Sequence, residues 1–374
     1  MKLSDFYYEL PAELIAQNPL EKRDHSRLLI YEREKDQITH AHFFDLGKYL
    51  KAGDVLFLNN SKVFSARLRA KKESGGRTEI LLLKNINQEK NEWQCLLKGR
   101  FSLGQQLFLE KGLSAKIEDQ KNGVWLLSFS RSYSDFINLI EEIGETPLPP
   151  YIKRKPIASN DKAVSDEQIK LIKELKLKDK ERYQTIYASD QQLGSAAVPS
   201  AGLHFTAELL KELSDQGVEI LEGTLHVGLG TFSPIKSEKI EEHQMHAEEV
   251  EVSLETINKL ISAKKAGRRI IALGTTSVRI LESLYYYKII DEAGELNEDY
   301  SEKDLINFST NIFIYPGYQF KMVDALISNF HLPQSSLLLL MSAFVGREKI
   351  LAIYQTAILE KYRFFSYGDA MLVI

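Results

Sequence analysis

The sequence has very little cysteine. Cys95 is the only one in 374 residues, so an intrachain disulfide framework is excluded and a thiolate metal cluster cannot be built from one chain. Apolar runs of bilayer-spanning length are also missing. The first residues, MKLSDFYYELPAELIAQ, carry charges and a proline where a secretory leader needs a continuous apolar stretch, so the expected compartment is the cytoplasm, with no membrane partner. There is no excess of positive charge. Lys plus Arg number 48 against 52 Asp plus Glu, a formal charge of -4, which argues against a uniformly basic nucleic-acid coat but leaves room for a local patch. Two basic runs stand out, Lys153-Arg154-Lys155 and residues 173–182, and each reads either as an RNA contact or as solvated surface.

A hydrophobic share of 44% over this length buries a substantial core and predicts two structural units without internal repeats. The run KAGDVLFLNN predicts a turn at Gly53-Asp54 feeding a short buried strand. From 61 to about 130, short apolar runs (TEILLLK, WQCLLKG, QQLFLEK, VWLLSFS) alternate with turn signals at Gly75-Gly76, residues 87–91, Lys111-Gly112 and Asn122-Gly123. That spacing predicts a small antiparallel barrel or sandwich, in which Cys95 is a strand residue. A helix carrying Phe136, Ile137, Leu139, Ile140 and Ile143 then runs into Gly144 and a proline-rich stretch that cannot continue it. The remainder alternates helix and strand patterns, with helices expected at 207–216 after Thr206, 278–287 after Ser277 and 337–344, and strands at 220–228 and 269–274. The predicted fold is an α/β core, a mixed sheet with flanking helices, at 1–61 and 148–374, interrupted by a small antiparallel β-barrel at 62–147 and carrying a charged surface insert at 153–180.

Several segments offer chemistry. In RRIIALGTTSVRILES a strand ends at Gly274 and turns through Thr275, Thr276 and Ser277 into a helix; the exposed helix-start amides favour an anion, and Arg279 adds a charged clamp. The alternative is an ordinary junction with Ser277 as N-cap. In GTLHVGLGTFSPI, Leu221, Leu225, Val227 and Leu229 share one strand face, and Thr224 and His226 project from the other. Gly228 and Gly230 then permit close approach of a ligand. An imidazole at His226 can carry protons near neutral pH, or it can be a satisfied structural histidine. His243 and His246 would share one face of a helix if HQMHAEE is helical, with Glu248 beyond; the spacing lacks the three or four ligands of a zinc site, so no metal is expected. His204 precedes a helix start, and Asp324, Asn329, His331, Tyr367 and Asp369 sit at turns beside apolar strands where polar groups converge.

Taken in order, AQNPLEKRDHSRLL, GSAAVPSAGLHFT, TLHVGLGTF, HQMHAEE, GTTSVRILES, YPGYQFKMVDALISNFHLP and YRFFSYGDAM resemble the successive motifs of the queuosine ribosyltransferase-isomerases over nearly the whole chain. The resemblance implies transfer and isomerisation of the ribosyl part of S-adenosylmethionine onto the 7-aminomethyl-7-deazaguanine at the wobble position of tRNA, giving epoxyqueuosine, adenine and methionine. It also implies an α/β core with a barrel insert. S-adenosylmethionine is then a substrate, tRNA the partner, and the expected state a monomer with a homodimer as the alternative. A sulfonium acidifies the adjacent C5' hydrogen and methionine leaves as a neutral thioether, so acids and bases are needed; His204, His226, His243, His246 and Asp369 are the expected proton carriers. Gly274, Thr275, Thr276, Ser277, Arg279, Asp324, Asn329, His331 and Tyr367 are the expected groups around S-adenosylmethionine. Where the family commonly reads FNDTRV this chain has LNNSKV, so Asn60 and Lys62 replace an acid and an arginine; Asn cannot act as a carboxylate base and Lys lacks a planar fork. A noncatalytic RNA-binding module and another nucleotide- or sugar-phosphate-binding enzyme are the rival readings.

Overall fold

The computed structural model of the chain describes every residue except 122, 155–165, 229–234 and 236, and every remaining side chain except those at 166–169 and 171–173. Its strands are β1 (Arg27–Glu32), β2 (Gln37–His42), β3 (Val55–Asn59), β4 (Lys62–Val63), β5 (Arg67–Lys72), β6 (Arg77–Asn87), β7 (Glu92–Leu97), β8 (Gln106–Phe108), β9 (Ser114–Lys121), β10 (Val124–Phe129), β11 (Leu193–Ser195), β12 (Glu219–Leu225), β13 (Glu248–Ser253), β14 (Ile270–Leu273), β15 (Leu305–Thr310), β16 (Ala325–Asn329) and β17 (Ala370–Val373). The helices are α1 (Tyr133–Ile143), α2 (Asp166–Arg182), α3 (Ala207–Asp215), α4 (Leu254–Lys265), α5 (Gly274–Tyr286), α6 (Ser336–Val345) and α7 (Arg347–Leu359).

Nine strands form one mixed sheet in the order β15-β13-β12-β3-β14-β16-β17-β1-β2. Its centre is apolar on both faces because side chains alternate along each strand. Val55 and Phe57 of β3, with Ile270 and Ala272 of β14, join the larger core shared with α4 to α7. Leu56 and Leu58, with Ile271 and Leu273, join the smaller core beneath α3. Thr206 caps α3 by accepting from the Leu209 amide at 3.2 Å, as its position before the apolar pattern predicts. Among the described residues no helix is long and apolar enough to cross a membrane.

Six strands close the barrel, in the order β10-β7-β6-β5-β8-β9. Its interior is packed with Leu68, Ile80, Leu82, Trp93, Cys95, Ile117 and Leu127, joined by Phe136 and Ile140 of α1, so the inside is a core. Where the chain enters and leaves this unit, Arg67 and Glu145 exchange backbone hydrogen bonds of 3.1 and 2.8 Å.

Two expectations are corrected. The segment with His243 and His246 is not a helix: a single 3-10 turn, Ile240–Glu242, ends with His243 as its C-cap and runs extended into β13. Helix α5 begins at Gly274, not after Ser277, and its N-cap Leu273 supplies no side-chain hydrogen bond. The charged insert carries helix α2, which is pinned to the molecule. Arg154 grips Asp179 through two bonds of 2.9 and 2.7 Å, and Lys176 and Lys180 lie 2.7 Å from Glu145 and Glu141. Arg154, Lys176 and Lys180 of the two basic runs are thus paired within the molecule; Lys155 and the Lys173 side chain lie outside the described residues.

A candidate active site at the carboxyl edge of the parallel strands

Strands β12, β3, β14 and β16 run parallel, so Asn59, Leu225, Leu273 and Asn329 all end at one edge of the sheet. β17 is antiparallel to β16, with Ala370 opposite Asn329, and β1 is parallel to β17 with Leu28 beside Ala370. The start of β1 and the approach to β17 therefore reach the same edge. Loops beyond the carboxyl ends of parallel strands are where open α/β sheets place their ligands.

One end of this edge is built around the start of α5. Gly274 adopts φ +82°, a conformation that other residues enter only with strain, and this lets β14 turn directly into the helix. Thr275, Thr276 and Arg279 then line a cavity of about 340 Å³ whose other walls include Met245, Ile312 and Phe313. The hydroxyls of Thr276 and Ser277 have no hydrogen-bond partner among the described residues. Arg279 is buried and forms an ion pair with the equally buried Glu248, the first residue of β13. The other oxygen of Glu248 accepts from the Gly228 amide at 2.8 Å, which joins the helix start to the loop after β12. On that loop His226 is half-buried, and its Nδ1 has no partner among the described residues. Burial holds its pKa below the ordinary value of 6.5, with Glu251 and Glu249 working against that shift. Lys84 of the barrel reaches Glu249 at 2.8 Å, so the barrel borders this end of the edge.

The other end is built around His204, in a 3-10 turn, Ser200–His204, that packs on the start of α5 through Ala201 and Gly274. Gly202 in this turn is forced by crowding, because any Cβ would collide with the Tyr187 hydroxyl. The His204 ring stacks on Phe43 at 4.9 Å; its Nδ1 lies 2.7 Å from Ser26 Oγ and its Nε2 3.1 Å from Asn329 Nδ2. An amide nitrogen only donates, so Nε2 accepts and Nδ1 donates to Ser26. Burial, then the charges of Arg363 and Arg23, push the His204 pKa down to about 3.

The sequence model of the family described as "Queuosine biosynthesis protein" matches residues 3–373. The chain belongs to the queuosine biosynthesis family. It is similar over its full length, and over theirs, to proteins named S-adenosylmethionine:tRNA ribosyltransferase-isomerase from Carboxydothermus hydrogenoformans, at 48% identity, and Desulforamulus reducens, at 47%. It is also similar to the crystal structure titled S-adenosylmethionine tRNA ribosyltransferase from Thermotoga maritima, with a TM-score of 0.52 and 34% identity, covering 99% of this chain and 100% of that one.

Placing the residues expected from sequence divides them. Of the family motifs, GTTSVRILES and HQMHAEE contribute to the lining of the α5 cavity and TLHVG joins them through the bond from Gly228 to Glu248, with His243 edge-on to Phe313 at 5.1 Å and His246 exposed. Leu229 and Gly230 lie outside the described residues. Tyr367 and Asn329 meet at the His204 end. Asp369 is spent on structure: its two oxygens accept from the Arg27 and Arg363 amides at 2.9 and 2.8 Å, and burial, its largest influence, raises its pKa. His331 is fully enclosed, bonds Ser328 Oγ at 2.7 Å and is pushed down to about 3 by burial. Asp324 is withdrawn as a ligand group, because it precedes β16 at the opposite edge and binds Lys264 Nζ and the Ile270 amide, each at 2.8 Å. The departures from the family motif are accommodated locally. Asn60 accepts from Thr224 Oγ1 at 2.6 Å, and Lys62 of β4 pairs with Asp190, in the 3-10 turn just before β11. Sequence reasoning does not single out Arg23 and Ser26, which line the space beside His204, and their signal is only that AQNPLEKRDHSRLL is a family motif; Arg182, in the same lining, enters only as the end of the basic run 173–182.

Proposed function

We propose that this chain is an S-adenosylmethionine:tRNA ribosyltransferase-isomerase that acts on the aminomethyl-deazaguanine of the tRNA wobble position, with S-adenosylmethionine as ribosyl donor. The observation that carries the reading is the meeting of three family motifs at the start of α5. Apolar walls with a few fixed polar groups suit a nucleoside, and the free helix-start amides beside Thr275 and Thr276 suit a carboxylate. Arg279 adds no net charge there, since Glu248 compensates it; the pair holds the helix and the Gly228 loop in register. His226 is the base in this reading, taking a proton at C5', and its lowered pKa favours the neutral imidazole that such a base needs. His243 and His246, on the loop that carries Met245 into the cavity wall, are the candidates for returning a proton to the leaving adenine. His204 is excluded from proton transfer near neutral pH, since both ring nitrogens are engaged and the imidazolium is strongly disfavoured. The substrate base has to leave its stack to enter this cavity, as enzymes working on a single base require.

Adenine release from S-adenosylmethionine, followed by chromatography, tests the reading. Release is expected only with tRNA carrying the aminomethyl-deazaguanine. Release with no tRNA, or none with the modified tRNA, rejects it; RNA binding without turnover would favour a noncatalytic module.

A further inference from the structure

The cleft at the His204 end has no part in the chemistry above. It measures about 280 Å³ and is lined by Arg23, Ser26, Arg182, His204, Ser366 and Tyr367, among others, and no carboxylate is among its lining residues. Asp369, the nearest acid in sequence, has both oxygens occupied by backbone amides. Apart from His204, whose ring nitrogens are both engaged, the polar side chains that line the space are guanidinium and hydroxyl donors. Arg23 and Arg182 are fixed by their own bonds, Arg23 to the Leu203 and Glu181 carbonyls at 3.3 and 3.0 Å and Arg182 to the Leu20 and Glu21 carbonyls at 2.7 and 2.8 Å. The guanidinium of Arg23 is destabilised by burial and then by Arg182 beside it, with Glu181 working against that shift. Two cations held side by side mark a place for an anion. Ser26 receives the His204 Nδ1 proton, which leaves its own hydroxyl hydrogen free to donate. Tyr367 is 4% exposed, and its hydroxyl has no hydrogen-bond partner among the described residues. A buried hydroxyl without a partner is costly unless something else satisfies it.

Resting on the family reading above, we infer that this cleft is an oxyanion site that holds a backbone phosphate of the tRNA, with Arg23 and Arg182 as the cations and Ser26 and Tyr367 as the hydroxyl donors. The same chemistry would accept the methionine carboxylate of S-adenosylmethionine. The phosphate is favoured because the cleft and the α5 cavity share no lining residue, and the helix start at β14 already offers amides to a carboxylate.

The test is tRNA binding by fluorescence anisotropy across a salt series, which needs no turnover and so stands apart from the assignment of activity. The folded variants Arg23→Gln and Arg182→Gln are expected to weaken tRNA binding about tenfold, the scale of one charge-assisted contact. Each should also lower the slope of log affinity against log salt by about 0.7 to 0.9, the value for one lost phosphate contact. Tyr367→Phe removes only the hydroxyl and should weaken binding about threefold with the slope kept. It also preserves the test if Arg182→Gln, which loses its ties to Leu20 and Glu21, does not fold. Inorganic phosphate should compete with tRNA for the wild type and compete less well for the arginine variants. Weakened binding of S-adenosylmethionine with an unchanged tRNA salt slope would assign the site to the carboxylate and overturn the proposal. Unchanged binding of both substrates in folded Arg23→Gln and Tyr367→Phe would overturn it as well. Lys303→Gln, an exposed cation beside Tyr300, is the charge-matched control.

Discussion

The two ends of the carboxyl edge treat their histidines in opposite ways. His204 is buried, with both nitrogens engaged and a ring face on Phe43; His226 keeps one nitrogen without a partner among the described residues, beside two glutamates. Burial lowers both pKa values, yet only His226 remains able to exchange a proton, because exchange needs a lone pair that no neighbour has claimed. The charges differ in the same sense. At the α5 end the buried Arg279 is matched by Glu248, whereas the His204 end collects arginines with no carboxylate among the described lining residues of the cleft.

Removing the matching charge should have the largest effect. Glu248→Gln leaves Arg279 buried without compensation, a change that costs about 3–5 kcal/mol in comparable sites. Urea unfolding should show it, and a loss under about 1 kcal/mol would mean that Arg279 had found another partner. Next in size is His226→Gln, expected to lower turnover at least about 100-fold, the lower scale for a lost acid or base. The wild-type rate should stay level from pH 8 down to the ordinary imidazole range and fall only below it, since the depressed pKa keeps the base neutral until then. Near wild-type turnover in His226→Gln would move the proton to His243 or His246.

His204→Gln tests the contrast from the other side. Leaving Ser26 or Asn329 without its partner should cost about 1–3 kcal/mol at pH 7.5. A folded pKa near 3 against an ordinary 6.5 means that the unfolded chain binds the extra proton first, so wild-type stability is lost as pH falls from 6.5 toward 3. The variant should lose less over that range, with the remainder carried in part by His331, and parallel curves would show that His204 titrates freely. Asp324→Asn should matter least. It breaks a part-exposed pair with Lys264, worth about 0.2–1 kcal/mol, at the edge away from the site. A large fall in turnover would undo the division of the sheet into a working edge and a structural one.

What was legible in the sequence had local causes. Thr206 before an apolar 3.6-residue pattern gives α3, Gly274 after a short apolar run gives the β14-to-α5 turn, and glycine or asparagine pairs mark the barrel hairpins. The barrel strands β5, RLRAKK, and β9, SAKIEDQK, were not singled out because only one face of each is apolar and the other is charged. His243 and His246 were paired on a helix by spacing alone, but the segment takes its shape from joining β13. Asp324 could not be placed because the edge it occupies depends on strand direction, which no local pattern encodes. The arginine cleft was out of reach for a similar reason: Arg23, Arg182 and Tyr367 meet only after the sheet has folded.

The paired backbone bonds between Arg67 and Glu145 also bear on how the chain folds. A closure penalty grows with the length of chain between two contacts, and the β3-to-β12 pairing spans the entire barrel. Once the barrel has formed and zipped its two ends together, the core sheet faces a much shorter effective loop. The insert then resembles a knot already tied in a string, and lengthening or shortening its hairpins should leave the assembly rate of the nine-stranded sheet nearly untouched.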